Sequence, residues 1–182
     1  AGADTKPVLP DIVTLLNERD AEIRANAVRT LGLTGVATPE VVTALSQKLE
    51  DNLMRVRIAA ARSLAQLGPS AKAAAPQLLV FGGSKSKNPD PVAAVWSAAA
   101  LHRIGVDANA NLNLVTAAIR NKTPAGRSAR FAAMDAAELL GPAAKGVVQD
   151  LIEALAESGP VSPTDRTQVR QRAAAALGKM GP

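Results

Sequence analysis

The sequence predicts an all-α fold, a right-handed α-α solenoid of about five helical hairpins. Three observations predict it: an alanine-rich composition, a glycine that recurs at near-regular intervals, and a helical periodicity before each of those glycines. Of the 182 residues, 38 are Ala, while the aromatic residues are two Phe and one Trp, with no Tyr. Small apolar side chains let helix backbones approach closely, whereas sheets draw on β-branched and aromatic residues. The glycines are Gly35, Gly68, Gly105, Gly141 and Gly181, spaced 33, 37, 36 and 40 residues apart. Self-similarity at such a period is the signature of a repeat architecture.

Each unit reads as helix A, a turn, helix B and a glycine stop. In the first, helix A runs through Ile12, Val13, Leu15 and Leu16, and helix B carries Ile23-Arg24, Ala27 and Leu31 before Gly35. In the second, Val41, Val42, Leu45 and Leu49 lead to Val56-Arg57, Ala60, Leu64 and Gly68. In the third, Leu78, Leu79 and Phe81 lead to a looser copy, Ala93, Ser97, Leu101 and Gly105, with Ala94 in place of the Arg. The fourth has Leu112, Leu114, Val115 and Ile119, then Ala129-Arg130, Ala133, Ala137 and Leu140-Gly141. The fifth has Val147, Val148, Leu151, Ile152 and Leu155, then Val169-Arg170, Ala173, Leu177 and Gly181. Offsets 0, 4, 8 and 12 trace one face of a helix with a glycine at its end. Pro or polar residues open most of the A helices (Pro10-Asp11, Thr38-Pro39, Pro76, Asn111), and all twelve prolines fall at helix starts or in connections, where a missing N–H costs little. The expected organisation is a single domain over 1–182 with units at approximately 7–35, 38–68, 73–105, 110–141 and 145–181.

The Val/Ile-Arg pairs with their trailing Ala, Leu and Gly resemble the HEAT repeat family, especially its bacterial form related to phycobilisome lyases. The resemblance covers nearly the whole chain and is specific for fold rather than for function. It implies that helix B lines the concave face and that an Asp in the turn pairs with the Arg of helix B. The matching pairs are Asp20 with Arg24, Asp51 with Arg57, and Asp165 with Arg170. The third unit keeps Asp90 without the Arg, and Arg130 of the fourth has no Asp in its turn. These Arg residues are read as a structural ladder between repeats. Gly68-Pro69 and Gly141-Pro142 each lead into a further unit, and Gly181-Pro182 repeats that junction. Because a solenoid end needs a polar cap, the segment is expected to belong to a longer protein or to pack its last unit on a partner.

With the core of helix B at offsets 0, 4, 8 and 11, positions 3, 6, 9 and 10 point outward. They place Arg29, Arg62, Arg103, Arg172 and Lys179 in a broken basic stripe on the expected concave face, interrupted by Asp135 and Glu138, with Trp96 and the lone His102 near its middle. One reading is a groove for a partner protein with an acidic surface, anchored by Trp96 and flanked by these cations, since Trp and Arg dominate interface hot spots. The other is that the Arg residues solvate the helix faces while Trp96 fills a gap against the next repeat. A net charge of +5 and a pI near 10.0 permit an acidic partner without requiring one.

Catalytic chemistry finds little support. The absence of Cys removes disulfides, thiolate catalysis and Cys-type zinc sites. Asp150, Glu153 and Glu157 share one helix face, but a solvated acidic face is the reading that fits with Lys145 nearby. The repeated His-Glu pairs of the HEAT-type deoxyhypusine hydroxylases are absent. No spacing favours a triad of Ser97, His102 and Asp135. No cofactor or metal is expected. The stretch 82–90 carries Gly and Lys without the phosphate-loop order or a preceding strand, and so reads as a connector. The long turn 158–168 belongs to the same edge of the solenoid, since both are A-to-B connections, and that edge is a second candidate binding surface. Asn121-Lys122-Thr123 fits a glycosylation sequon weakened by Pro124. No apolar run approaches the length of a membrane span. No signal sequence is visible from Ala1 onward, which leaves cytoplasmic and exported locations both open. The expected function is a non-enzymatic protein-protein interaction or assembly scaffold, binding on the concave face or the long-turn edge. The alternatives are DNA binding through the basic stripe and, remotely, a bilin lyase or lyase chaperone.

Overall fold

The computed structural model describes residues 8–82, 90–157 and 162–181. Ten α-helices, paired as five hairpins, follow in chain order among them. They are α1 (Leu9–Leu15) with α2 (Ala21–Thr34), α3 (Pro39–Gln47) with α4 (Met54–Leu67), α5 (Ala75–Gly82) with α6 (Pro91–Ile104), α7 (Ala108–Arg120) with α8 (Arg127–Leu140), and α9 (Val148–Leu155) with α10 (Pro163–Met180). The fold is an all-α solenoid. Its units are stitched through the second helix of each hairpin: α2 packs on α4, α4 on α6, α6 on α8, and α8 on α10.

The helix starts follow local chemistry. Asp20, Thr38, Asp90 and Ser162 sit at N-caps, their side-chain oxygens accepting from the backbone N–H of Glu22, Val41, Ala93 and Asp165. Pro10, Pro39, Pro91 and Pro163 occupy the first turn of α1, α3, α6 and α10. The core is one continuous apolar layer between the two helix rows. Leu16, Leu45, Leu78, Ile119 and Leu151 from the first helices, and Leu31, Leu64 and Met134 from the second, are fully buried. Small residues set the helix spacing. A side-chain carbon at Gly32 would lie 2.5 Å from Ser63 Oγ, and one at Gly82 would lie 2.2 Å from Ser97 Cβ. Gly32 therefore marks the close approach of α2 and α4 rather than an outward position. Ser63 closes the same contact by donating to the Val28 carbonyl at 2.9 Å.

All five recurring glycines have positive φ, and the four that lie between units form two kinds of junction. Gly35 (φ 68, ψ 3) and Gly105 (φ 87, ψ 22) are ordinary left-handed stops. Gly68 (φ 62, ψ −135) and Gly141 (φ 54, ψ −130) lie where an L side chain is not accommodated. Each is followed by Pro and a 3-10 turn, Gly68–Ala74 and Gly141–Val147, that feeds directly into the next first helix. Gly68→Ala and Gly141→Ala are each expected to cost about 1–3 kcal/mol of stability, the typical strain of a forced backbone conformation. Chemical denaturation measures this directly. A Gly68→Ala protein as stable as the parent would show that the junction does not need this geometry.

Candidate functional site

The edge formed by the turns between first and second helices carries a repeated electrostatic element. Arg24, at the start of α2, spends all five of its N–H groups. One terminal nitrogen donates to the carbonyls of Glu18 (2.8 Å) and Arg19 (2.9 Å) in its own turn. Nε and the other terminal nitrogen grip the Asp51 carboxylate of the next unit at 2.9 and 3.0 Å, and the latter also reaches Asn52 Oδ1 at 2.9 Å. Arg130 repeats the pattern from α8. It donates to the Ile119 carbonyl of its own unit at 2.8 Å and holds Glu157 of the next unit with two nitrogens at 3.3 and 2.5 Å. Both rungs span the same sequence separation of 27 residues. The Arg130–Glu157 side chains are 5% and 7% exposed, so the pair is a buried one.

The charge states follow from these contacts. Burial alone would raise the Asp51 carboxyl, but the Arg24 guanidinium and the Leu53 N–H outweigh it and hold the group below its ordinary range. The hydrogen bond from Arg130 holds Glu157 below its ordinary range against its own desolvation. Hydrogen bonding to Asp51 in turn raises Arg24.

The ladder thus differs in partner from the pairs that the resemblance implied. Asp20 caps α2 and is not hydrogen-bonded to Arg24, whose carboxylate comes from the following unit. Arg57 donates to the backbone carbonyl of Asp51 at 2.5 Å, not to its carboxylate. Asp165 accepts from Arg127 at 2.7 Å, while Arg170 donates to the Glu157 carbonyl at 3.1 Å. The reason is reach. A guanidinium at the start of the second helix lies beside its own turn's carbonyls, so its outer face meets the next turn along the stack. An acid 27 positions after the Arg was the sequence signal for the partner.

Between the fourth and fifth units this edge opens into a groove of about 820 Å³. Arg130 and Glu157 lie at its wall, Phe131 and Val169 supply apolar surface, and Lys122, Arg127 and Glu153 stand around it. Its rim is shaped by a tight turn in which Asn121 Oδ1 accepts from the Thr123 N–H (3.1 Å) and hydroxyl (2.7 Å). The long turn of the fifth unit contributes Ser162 and Asp165. The remainder of that turn, 158–161, and the connector 83–89 lie outside the described residues.

The predicted basic stripe is largely engaged in contacts within the solenoid. Trp96 is 3% exposed, in a helix buried continuously from Val95 to Leu101. The Arg62 guanidinium, itself exposed, lies 4.9 Å from its ring centroid. Trp96 is therefore a packing residue at the junction of α4 and α6, not an exposed anchor, because the small side chains around it let the neighbouring helices close over the indole. Arg103 reaches the Leu139 carbonyl of the next unit at 3.4 Å. Arg172 pairs with Asp135 at 2.5 Å and lies 5.1 Å from the Phe131 ring centroid. Among the described residues Arg29 bonds Asn26 on its own helix, at 2.8 Å, and Lys179 is exposed.

The other candidate chemistry is dispersed. The Asp150 carboxylate turns to Arg120 of α7 and Glu157, just past the end of α9, to Arg130, so Asp150, Glu153 and Glu157 do not converge. Among the described residues no group of three acids or imidazoles could hold a metal ion. His102 Nδ1 donates to the Ala108 carbonyl at 2.8 Å. No described helix is long and apolar enough to cross a membrane.

Residues 9–81 match the family described as HEAT repeats. The hairpin geometry, the glycine junctions and the Arg rungs continue past that stretch into the fifth unit. That stretch takes in the first two hairpins and the first helix of the third. Among solved structures, this solenoid is similar to the complex of CpcE and CpcF of phycocyanin lyase from Nostoc sp. PCC7120, at 23% identity and a TM-score of 0.61. The match covers 97% of this chain and 66% of that one, so the chain spans somewhat less than two thirds of its neighbour's length. An engineered protein also matches, at 20% identity over 94% of this chain and 78% of that one, with a TM-score of 0.44. No curated protein matches the chain.

Proposed function

We propose that this protein is a non-enzymatic protein-interaction scaffold whose partner occupies the groove on the turn edge between the fourth and fifth units. The carrying observation is the groove itself, which joins apolar surface from Phe131 and Val169 to the exposed cationic side chain of Lys122, with Arg127 beside it paired to Asp165. Such a combination of a concave apolar floor and a few polar groups suits a peptide segment that brings an apolar anchor and an acidic residue. The concave stripe is less suited, because Trp96 is buried and Arg172 is paired with Asp135. The same pairing weakens the duplex-binding reading, since a paired Arg contributes less to phosphate binding. A role related to bilin attachment rests on likeness to a lyase complex alone, and an absorbance change on adding a bilin would favour it.

The test is selection of displayed random peptides on the intact protein, with Ala156→Arg and Lys122→Glu as groove variants at exposed positions. Peptides carrying an acid beside a large apolar residue should be enriched, and should lose about tenfold or more in affinity on Ala156→Arg. Selected peptides that bind both variants as well as the parent would place the binding surface elsewhere.

A further inference from the structure

The groove between the fourth and fifth units is lined by three cations, Lys122, Arg127 and Arg130, and by three acids, Glu153, Glu157 and Asp165. Two of the cations are already paired within the chain, and the two pairs differ in kind. Arg130 and Glu157 form the buried rung, and neither can turn to a partner without stranding the charge of the other. Arg127 and Asp165 form a 2.7 Å bridge from the start of α8 to the start of α10, with side chains 53% and 19% exposed. Water and salt compete for a bridge this open, so its net strength is small and its partners exchange readily.

Local structure prepares both ends for that exchange. Arg127 is the first residue of α8, where the positive end of the helix dipole disfavours a cation, so it gains from any carboxylate held beside it. Asp165 lies in the first turn of α10, and its backbone N–H donates to the N-cap Ser162 hydroxyl at 3.1 Å. A carboxylate in that turn is favoured by the dipole of α10 with or without Arg127. Parting the bridge therefore leaves Asp165 in a favourable place and Arg127 in need of an anion. Arg127 also lines the same cavity as the apolar residues Phe131 and Val169.

We infer that Arg127 reads the acid of the bound segment and that Asp165 is its built-in competitor, holding that place on Arg127 until a partner arrives. This rests on the groove being the partner site. The carboxylate of the partner replaces Asp165 on Arg127, its apolar side chain lies against Phe131 and Val169, and Lys122 adds a second cation from the rim. The exchange makes the groove selective. A segment with an apolar residue but no acid leaves the bridge in place and gains only the apolar contact.

The probe is a peptide recovered by the display selection, made once with its acid and once with Gln in that place, and titrated by fluorescence polarisation against the intact protein. Asp165→Asn should tighten the acidic peptide about threefold or more, the scale of releasing one exposed ion pair, and leave the Gln peptide unchanged. Arg127→Gln should weaken the acidic peptide towards the Gln peptide, and adding Asp165→Asn to it should bring no gain. Glu153→Gln removes the same charge from the same groove without releasing a cation, because Glu153 holds no ion pair among the described residues, and should tighten the acidic peptide less. No gain from Asp165→Asn, a gain that persists without Arg127, or an equal gain from Glu153→Gln would overturn the competitor role, while sensitivity to Ala156→Arg would keep the groove as the partner site. Peptides indifferent to Ala156→Arg would overturn both.

Discussion

Trp96→Ala should lower the stability of the solenoid by about 3–5 kcal/mol, the usual cost of emptying a buried aromatic site. The size follows from position. The indole is 3% exposed in the most enclosed helix of the chain, so its removal leaves a cavity between α4 and α6 that their backbones cannot readily close. Arg62→Ala should cost far less, about 0.5–1 kcal/mol, because it removes only a cation over an indole that stays packed. Urea denaturation followed by circular dichroism measures both. The fluorescence of the sole Trp adds a second reading, with the native emission blue-shifted from the unfolded chain. A Trp96→Ala protein as stable as the parent but deficient in partner binding would instead return Trp96 to the exposed-anchor role.

Arg130→Ala should cost about 3–5 kcal/mol, because it strands the Glu157 carboxylate in a buried position. Replacing both partners, Arg130→Leu with Glu157→Leu, should recover most of that loss, since no charge is then left unpaired. The double-mutant cycle isolates the coupling from the separate packing effects. The same pair predicts an acid response. Glu157 and Asp51 are held below their ordinary range in the folded protein, so their contribution is present above the unfolded carboxyl pKa, about 4. It is lost as pH falls through the lower folded-state values. Thermal midpoints measured from pH 7 downward should drop below about pH 4, and drop less steeply in the double Leu variant. Parallel curves for the two proteins would mean that Glu157 is not held ionised by Arg130.

The repeat and its junctions were legible because they are local. A glycine that must adopt positive φ leaves its mark in sequence wherever it occurs, and Gly35, Gly68, Gly105, Gly141 and Gly181 all do so. The periodicity of Leu31, Leu64 and Val169 likewise reports a face that every unit must bury in the same way. The rung partners were legible only in part. The Arg positions stood out, but their acids lie one unit further on, and within-unit pairing assigned Asp20 a role that its capping bond had already taken. Glu157 was visible as one of three acids on a helix face, with nothing local to separate it from Glu153.

The surface was the least legible. A helical wheel divides each second helix into inner and outer faces, but it cannot say what the neighbouring helices cover. By itself the sequence determined the hairpin unit, its number, its apolar layer and its glycine stops, since each is fixed by contacts a few residues apart. Only the tertiary structure decided that Trp96 is packed while Arg62 lies over it, that Arg24 and Arg130 reach forward to Asp51 and Glu157, and that a groove opens beside Phe131. Those outcomes depend on how closely alanine- and glycine-lined helices approach across the stack, a distance that no single unit encodes.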